Sequence, residues 1–300
     1  MNNLAIIVLN YNSYLETIDC VRKLISFCED FKIVIVDNSS TNDSYKIISN
    51  EFQHYTNVSV IESYENGGYG KGNNFGCRYA VAHYSDVDTL AIMNPDVRLE
   101  NIEIINNMLK ALHDNPDCAI VGASTISSDG VFIPGYSIWN IPNDKEVVMN
   151  YATPLKRSRS CKMISNGIAA VDCVLGAFFM TPLNKFVELG MFDENMYLYN
   201  EENVLGIKCK QKGYSVLWLI NDYYIHGISK NKNEKKVNKL KKFINMQKLT
   251  HASYISRRYL IRKFYRNKTL KLLFLDFVYA IYIVAITLKL IQKNIKQLKQ

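Results

Sequence analysis

The sequence predicts an α/β fold: a mostly parallel central sheet flanked by helices, followed by a basic helical appendage. Three observations carry this. Short β-branched runs alternate with helix-spaced segments through the first part of the chain, the pattern of parallel strands joined by crossover helices. Runs such as Ile33-Val34-Ile35-Val36 show no polar alternation, as expected of strands covered on both faces. Beyond His226 the composition shifts abruptly to Lys and Asn. This shift separates a domain at 1–228 from a basic region at 229–300.

Leu4–Leu9, Lys32–Val36, Val58–Glu62 and Thr89–Met93 are the expected strands of the first half. Tyr14–Phe27, Ser44–Phe52 and Tyr69–Tyr84 carry helical spacing between them. Residues Ser127–Ser165 contain Pro134, Pro142 and Pro154 with weak periodicity, and read as loop-rich. Order is expected to return with a strand at Val171–Thr181, helices at Leu183–Leu189 and Glu201–Lys212, and a strand at Tyr214–Ile220.

An apolar fraction of 48% with 21% charged residues in 300 supports a sizeable core and argues against global disorder. The seven cysteines are widely spaced, with no C-x-x-C pair. That suits reduced thiols better than a disulfide framework or zinc site. The N-terminal apolar run is short and lacks a basic start, so it reads as a buried strand, and the active domain is expected in the cytoplasm.

The net charge of +8 is concentrated towards the C-terminal end. Arg257, Arg258, Arg262, Lys263, Arg266 and Lys268 precede an apolar helix at 270–292, which is interrupted by Asp276. Its apolar core is at the short end of the about 20 residues that a span requires. A helix lying on anionic lipid at the inner face of the cell membrane is the preferred reading. A core-packing or homodimerising helix is the alternative. Tyr259, Phe264 and Tyr265 interleave the basic residues, but they sit beside the apolar helix, and nucleic acid is not the expected partner.

In open α/β sheets, ligands bind beyond the carboxyl ends of the strands. Those ends are Asn10-Tyr11-Asn12-Ser13, Asp37-Asn38-Ser39-Ser40, the stretch from Glu65-Asn66-Gly67-Gly68 to Asn74, and Asn94-Pro95-Asp96. Each alone is ordinary turn chemistry; their recurrence at four strand ends favours a site. The glycine-rich stretch is neither a P-loop nor a dinucleotide fingerprint, since it follows the third strand and lacks the spacing. Its glycines allow close backbone approach to a ligand before a helix N-terminus.

Together, Ile7-Val8-Leu9-Asn10-Tyr11-Asn12, Val36-Asp37-Asn38-Ser39-Ser40, Glu65-Asn66-Gly67-Gly68-Tyr69-Gly70 and Asn94-Pro95-Asp96 resemble family 2 glycosyltransferases, which have the Rossmann-like GT-A fold. The likeness is greatest to the rhamnosyltransferase-like branch of bacterial surface-polysaccharide enzymes. Gly176-Ala177-Phe178-Phe179-Met180, Gly190-Met191-Phe192-Asp193-Glu194 and Tyr199-Asn200-Glu201-Glu202 continue it. The resemblance implies a nucleotide-diphosphate-sugar donor, UDP- or dTDP-linked, and a saccharide or lipid-linked saccharide acceptor. It implies that Leu9, Tyr11, Asp37 and Asn38 lie at the base, and that Asn66, Gly67, Gly70 and Lys71 lie near the nucleotide or its diphosphate. Asn94 and Asp96 would stand at the metal motif, with Asp96 holding Mg²⁺ or Mn²⁺. His226 matches a histidine that can face the metal, although a lone histidine is commonly structural.

Glu202 aligns with the family's catalytic base, where relatives carry Asp; Glu201 is the fallback. A free glutamate titrates near about 4.3, so it is ionised at neutral pH and able to accept a proton. The alternative is that both are helix N-terminal carboxylates favoured by the dipole. Val204 and Lys208 depart from the family pattern of an acidic residue and an Arg, so acceptor contacts are expected to differ. The expected reaction is single displacement with inversion, as the resemblance implies. The rivals are a nucleotidyltransferase, which would need a basic glycine-rich loop at Asn10–Ser13, and a membrane-docked, non-catalytic binding or scaffold protein of the same fold.

Overall fold

The computed structural model describes residues 3–28, 30–127, 130–131, 134–149, 158–227 and 239–298. The first half runs β1 (Leu4–Asn10), α1 (Tyr14–Phe27), β2 (Lys32–Asp37), α2 (Ser44–Phe52), β3 (Val58–Glu62), α3 (Gly68–His83) and β4 (Thr89–Met93). Strands β3, β2, β1 and β4 lie side by side and parallel. Ile6, Ile33 and Ile35 are fully buried, each contributing about 1.5–3 kcal/mol by leaving water.

Next come β5 (Val97–Arg98), α4 (Glu103–Asp114), β6 (Cys118–Ile126), α5 (Pro134–Ser137), β7 (Ile138–Trp139), α6 (Asp144–Met149), β8 (Lys162–Ser165), β9 (Ile168–Val171), β10 (Cys173–Val174) and β11 (Phe178–Pro182). The chain continues with α7 (Leu183–Glu188), α8 (Glu201–Lys212), β12 (Ser215–His226), α9 (Lys239–Phe264) and α10 (Lys268–Leu298). The large sheet has the order β3-β2-β1-β4-β11-β6-β12-β9-β8, with β5 also on β12. It is parallel through β4 and mixed beyond, because β11 enters antiparallel between β4 and β6.

Three local expectations change. The loop-rich stretch Ser127–Ser165 holds α5 to β8 among its described residues. The strand expected at Val171–Thr181 is broken: Leu175-Gly176-Ala177 separates β10 from β11, and that break becomes part of the site. The last sheet strand runs on to His226 instead of ending at Ile220.

The C-terminal helices are not a detached tail. Leu260, Ile261 and Leu275 share a core with Val147, Val148, Met196 and Val204. Ser256 Oγ donates to the Leu198 carbonyl at 2.7 Å. Buried Asp193 accepts from Lys263 Nζ at 2.6 Å and from the Tyr259 hydroxyl. Asp276, which interrupts the apolar run, pairs with Arg258 and accepts from Tyr254. Arg257 is only 5% exposed, so it does not belong to the basic surface as expected. The boundary expected at 228/229 falls in 228–238, outside the described residues.

Candidate active site

The donor-side rim forms where the parallel strands end. Asp37 is found turned inward and fully buried, not on the open rim. Its Oδ2 accepts from Asn10 Nδ2 at 2.6 Å and its Oδ1 from the Ser40 amide at 2.8 Å. That carboxylate ties the ends of β1 and β2 together. Buried Asn38 donates to Asn66 Oδ1 at 3.1 Å and to the Gly68 carbonyl at 3.2 Å, joining β2 to the glycine-rich turn. Tyr11 stands exposed beside half-buried Leu9, and Lys71 is paired with Glu65 at 2.5 Å.

Part of the glycine signal is packing. Gly68 has φ +85°, and a Cβ there would fall 2.0 Å from the Tyr197 carbonyl oxygen. A Cβ at Gly76 would meet Ile7 and Val36 at 2.6 Å. Gly76 lets α3 lie against β1 and β2, Gly68 lets its first turn meet the Tyr197 backbone, and buried Gly70 packs against Phe192 instead of opening on the rim.

Register explains the next pair. Strand β5 follows β4 after Asn94-Pro95-Asp96 and runs antiparallel to β12, placing His226 opposite Val97. His226 Nε2 therefore lies 3.4 Å from Asp96 Oδ1. Burial alone would raise the Asp96 carboxyl, but the hydrogen bond and charge of His226, a backbone amide and Arg98 outweigh it and hold it below the usual range. Among the described residues no group of three or more His, Cys, Asp or Glu stands ready to hold a metal ion. One carboxylate and one imidazole, both with access to the rim, make a partial oxygen–nitrogen donor set, suited to Mg²⁺ or Mn²⁺ only when further oxygens join.

The break between β10 and β11 links this pair to the glutamates. The Asn94 amide donates to the Ala177 carbonyl at 2.8 Å. The adjacent Gly176 amide donates to Glu202 Oε1 at 3.3 Å, and the Tyr69 hydroxyl donates to the Gly176 carbonyl at 2.6 Å. Before α8, Tyr199 and Asn200 both have left-handed backbones, φ +70° and +73°. That is a costly pair for non-glycine residues, and it delivers Glu201 and Glu202 to the first turn.

The two glutamates diverge. Glu201 is 5% exposed and its Oε1 has no hydrogen-bond partner among the described residues. Burial, reinforced by the charge of Glu202, lifts its carboxyl to about 8. Glu202 instead lines a cavity of about 690 Å³ that it shares with His226, Tyr136, Trp139 and Tyr199. Trp139 Nε1 donates to Asn203 Oδ1 at 2.8 Å, fixing one aromatic wall. The cavity thus brings Glu202 together with His226, whose imidazole reaches Asp96, while buried Glu201 is not part of its lining.

Sequence reasoning missed Tyr69, Gly176 and the aromatic wall. Tyr69 and Gly176 both lie within the motifs that carry the resemblance, but their jobs depend on partners far along the chain. The cavity is also walled by α9 and by Tyr282 of α10, a role no local pattern announces.

The large mixed sheet flanked by helices is the architecture of GT-A glycosyltransferases. Residues 5–172 match the profile of Glycosyl transferase family 2, and the chain belongs to that family. It is 26% identical over 202 residues to the low-salt glycan biosynthesis hexosyltransferase Agl10 of Haloferax volcanii, covering 67% of this chain and 60% of that protein. It is 20% identical over 214 residues to the rhamnosyltransferase WbbL of Escherichia coli K12, covering 69% of this chain and 78% of that one.

In fold it is similar to the mannosyltransferase PcManGT of Pyrobaculum calidifontis, solved with GDP-Man and Mn²⁺. That match has a TM-score of 0.55 at 14% identity, over 94% of this chain and 75% of that one. It is similar also to GalNAc-T7, solved with UDP, GalNAc and Mn²⁺, with a TM-score of 0.59 at 12% identity, over 92% and 55% of the two chains.

Proposed function

We propose that this protein is an inverting glycosyltransferase moving a hexosyl or rhamnosyl group from a nucleotide-diphosphate-sugar to a hydroxyl of a growing, lipid-linked surface saccharide. The carrying observation is that Glu202 and His226 line one cavity, and that His226 stands 3.4 Å from Asp96 at the strand ends. Glu202 takes the proton as the acceptor oxygen forms its bond to the anomeric carbon. The bond from that carbon to the phosphate oxygen breaks, and its electron pair leaves with the nucleoside diphosphate. One displacement with no covalent sugar–enzyme stage inverts the centre. The UDP and GDP-Man in the fold relatives support a nucleotide-sugar donor.

Asp96 and His226 would hold a divalent metal, as the Mn²⁺ of the fold relatives supports. When bound, such an ion supplies charge neutralisation for the leaving diphosphate. With two protein donors, its affinity is expected to depend on the nucleotide. Tyr11, Asn66 and the backbone of the glycine-rich turn bound the nucleotide side, and Tyr136 and Tyr199 the sugar side.

Helix α10 supports a peripheral membrane location. Within Lys268–Leu288 an 18-residue window reaches mean hydropathy 2.0, with 11% of its residues buried. Leu270, Leu273, Phe274, Phe277, Ile281 and Val284 are exposed along one face, with Arg262, Arg266 and Lys268 exposed nearby. An apolar outward stripe beside cations suits an anionic leaflet.

The test is transfer measured as nucleoside diphosphate release with a panel of nucleotide-sugars, with and without Mn²⁺. Asp96→Ala and Glu202→Gln are each expected to lower the rate at least about 100-fold at unchanged thermal stability, the scale of a lost proton acceptor or charge clamp. Full activity in both variants would remove the assignment.

A further inference from the structure

The C-terminal helices do more than pack. One face of α9 enters the cavity that holds Glu202, with Met246, Leu249, Thr250, Ser253 and Arg257 spaced as successive turns of one helical stripe. The stripe is graded. Met246 and Leu249 are 45% and 47% exposed, Thr250 and Ser253 are half-buried, and Arg257 is buried at 5%. Eleven residues of helix separate the ends, about 17 Å at a rise of about 1.5 Å per residue.

The cationic end is fixed. Arg257 Nη1 donates to the Val147 carbonyl at 3.1 Å and the Glu146 carbonyl at 3.4 Å, while neighbouring Ser256 is bonded to Leu198 just before the catalytic helix. The guanidinium therefore belongs to the deep, catalytic end of the stripe. The apolar residues belong to the mouth, where Tyr282 of α10 joins the lining and its neighbours Ile281 and Val284 are 53% and 57% exposed.

A ligand matching this gradient is an amphiphile: an anion at the inner end, polar linkage in the middle, and an apolar chain leaving over Met246 and Leu249. A planar guanidinium favours oxyanions such as phosphate, and a phosphate ester joins a saccharide to an apolar chain while carrying the charge. We infer that this face of α9 is the acceptor subsite, with Arg257 recognising the phosphate that links the acceptor sugar to its lipid. The inference rests on the transferase reading and adds to it the group recognised and the residues that choose it. Arg257 is a specificity residue in this scheme, and Glu202 alone touches the reacting hydroxyl.

The test uses the full chain and probes of known chemistry: octyl phosphate, octyl glucoside and inorganic phosphate, titrated by calorimetry. Octyl phosphate is expected to bind at least tenfold more tightly than either of the others. Arg257→Gln, which keeps N–H donors for the two carbonyls, and Leu249→Asp at the mouth are each expected to weaken it at least tenfold. UDP and GDP binding, read by thermal shift, should be unaffected.

Equal binding of octyl phosphate and octyl glucoside, or a folded Arg257→Gln with unchanged affinity, overturns the inference. If that variant does not fold, Ser253→Asp decides: it places a negative charge mid-stripe, and unchanged octyl phosphate affinity is equally fatal. Donor turnover by the wild-type protein is read separately. Loss of the subsite with turnover intact defeats this inference alone, whereas absence of turnover with octyl phosphate bound defeats the transferase reading.

Discussion

Replacing Gly176 with alanine isolates the placement of the proposed base from its chemistry. Gly176 has no positive φ, so alanine is locally allowed there. The added Cβ would stand 2.9 Å from Glu202 Oε1, 3.3 Å from its Cγ and 3.4 Å from its Cδ. Ordinary contact begins near 3.4 Å, so the carboxylate must retreat by about half an ångström, weakening the Gly176 amide bond to Oε1. The atom displaced is the end of a flexible side chain, so folding should lose less than about 1 kcal/mol. Catalysis is less tolerant, since a misplacement of about 1 Å costs up to about 100-fold. We expect kcat for transfer to fall about 10- to 100-fold, with unchanged metal-dependent donor binding by thermal shift and a Tm within about 3 °C of wild type. Wild-type kcat in Gly176→Ala would refute the placement of Glu202 as base; a large loss of Tm would refute the claim that only the side chain yields.

Three other outcomes follow from the same geometry. Glu201 holds its proton in the folded state to about 8 against an ordinary 4.5, so stability is greatest below the unfolded value and is lost as pH rises through the folded one. Glu201→Gln cannot ionise, and its Tm should exceed wild type by at least about 2 °C at pH 9 but not at pH 4; parallel Tm–pH curves would contradict this. Asp193→Asn removes the charge that holds Lys263 and Tyr259 of α9 and should cost about 1–3 kcal/mol in urea unfolding, an unchanged midpoint counting against that anchor. Phe277→Asp with Ile281→Asp should abolish co-flotation with phosphatidylglycerol vesicles while leaving soluble folding intact, and undiminished flotation would remove α10 as the docking face.

The first half of the fold was legible because its strands are continuous β-branched runs and its helices short and evenly spaced, so local pattern and tertiary role coincide. Helix α4 was legible too and went unread: Ile104, Ile105, Met108, Ala111 and Leu112 mark one buried face. Strand β6 is harder, because Gly122, Ser124 and Thr125 break its apolar run and resemble a turn, although Ser124 and Thr125 are buried in the sheet. The Asp96–His226 approach depends on the two-residue β5 meeting β12, a pairing with no local signature. Asp37 shows the opposite limit. A carboxylate at a strand end looks the same in sequence whether it faces a ligand or, as here, closes the turn beside it.

The cavity is lined by parts of the chain that are held differently. Asn94 and Glu202 are both bonded to the pair Gly176-Ala177, so the position of the metal motif and that of the glutamate are set by one sharp break between two strands. Moving either without the other means moving β11, which is clamped between β4 and β6. The α9 wall is joined instead through side-chain contacts at Asp193, Leu198 and the carbonyls of Glu146 and Val147. On the proposed reading, substitutions on its cavity face would therefore change what is accepted without shifting Asp96 or Glu202. The residues set by the strand break would then carry the chemistry and the docked helix the selection, and Glu202, His226 and the α9 face all lie beyond residues 5–172 that match the family.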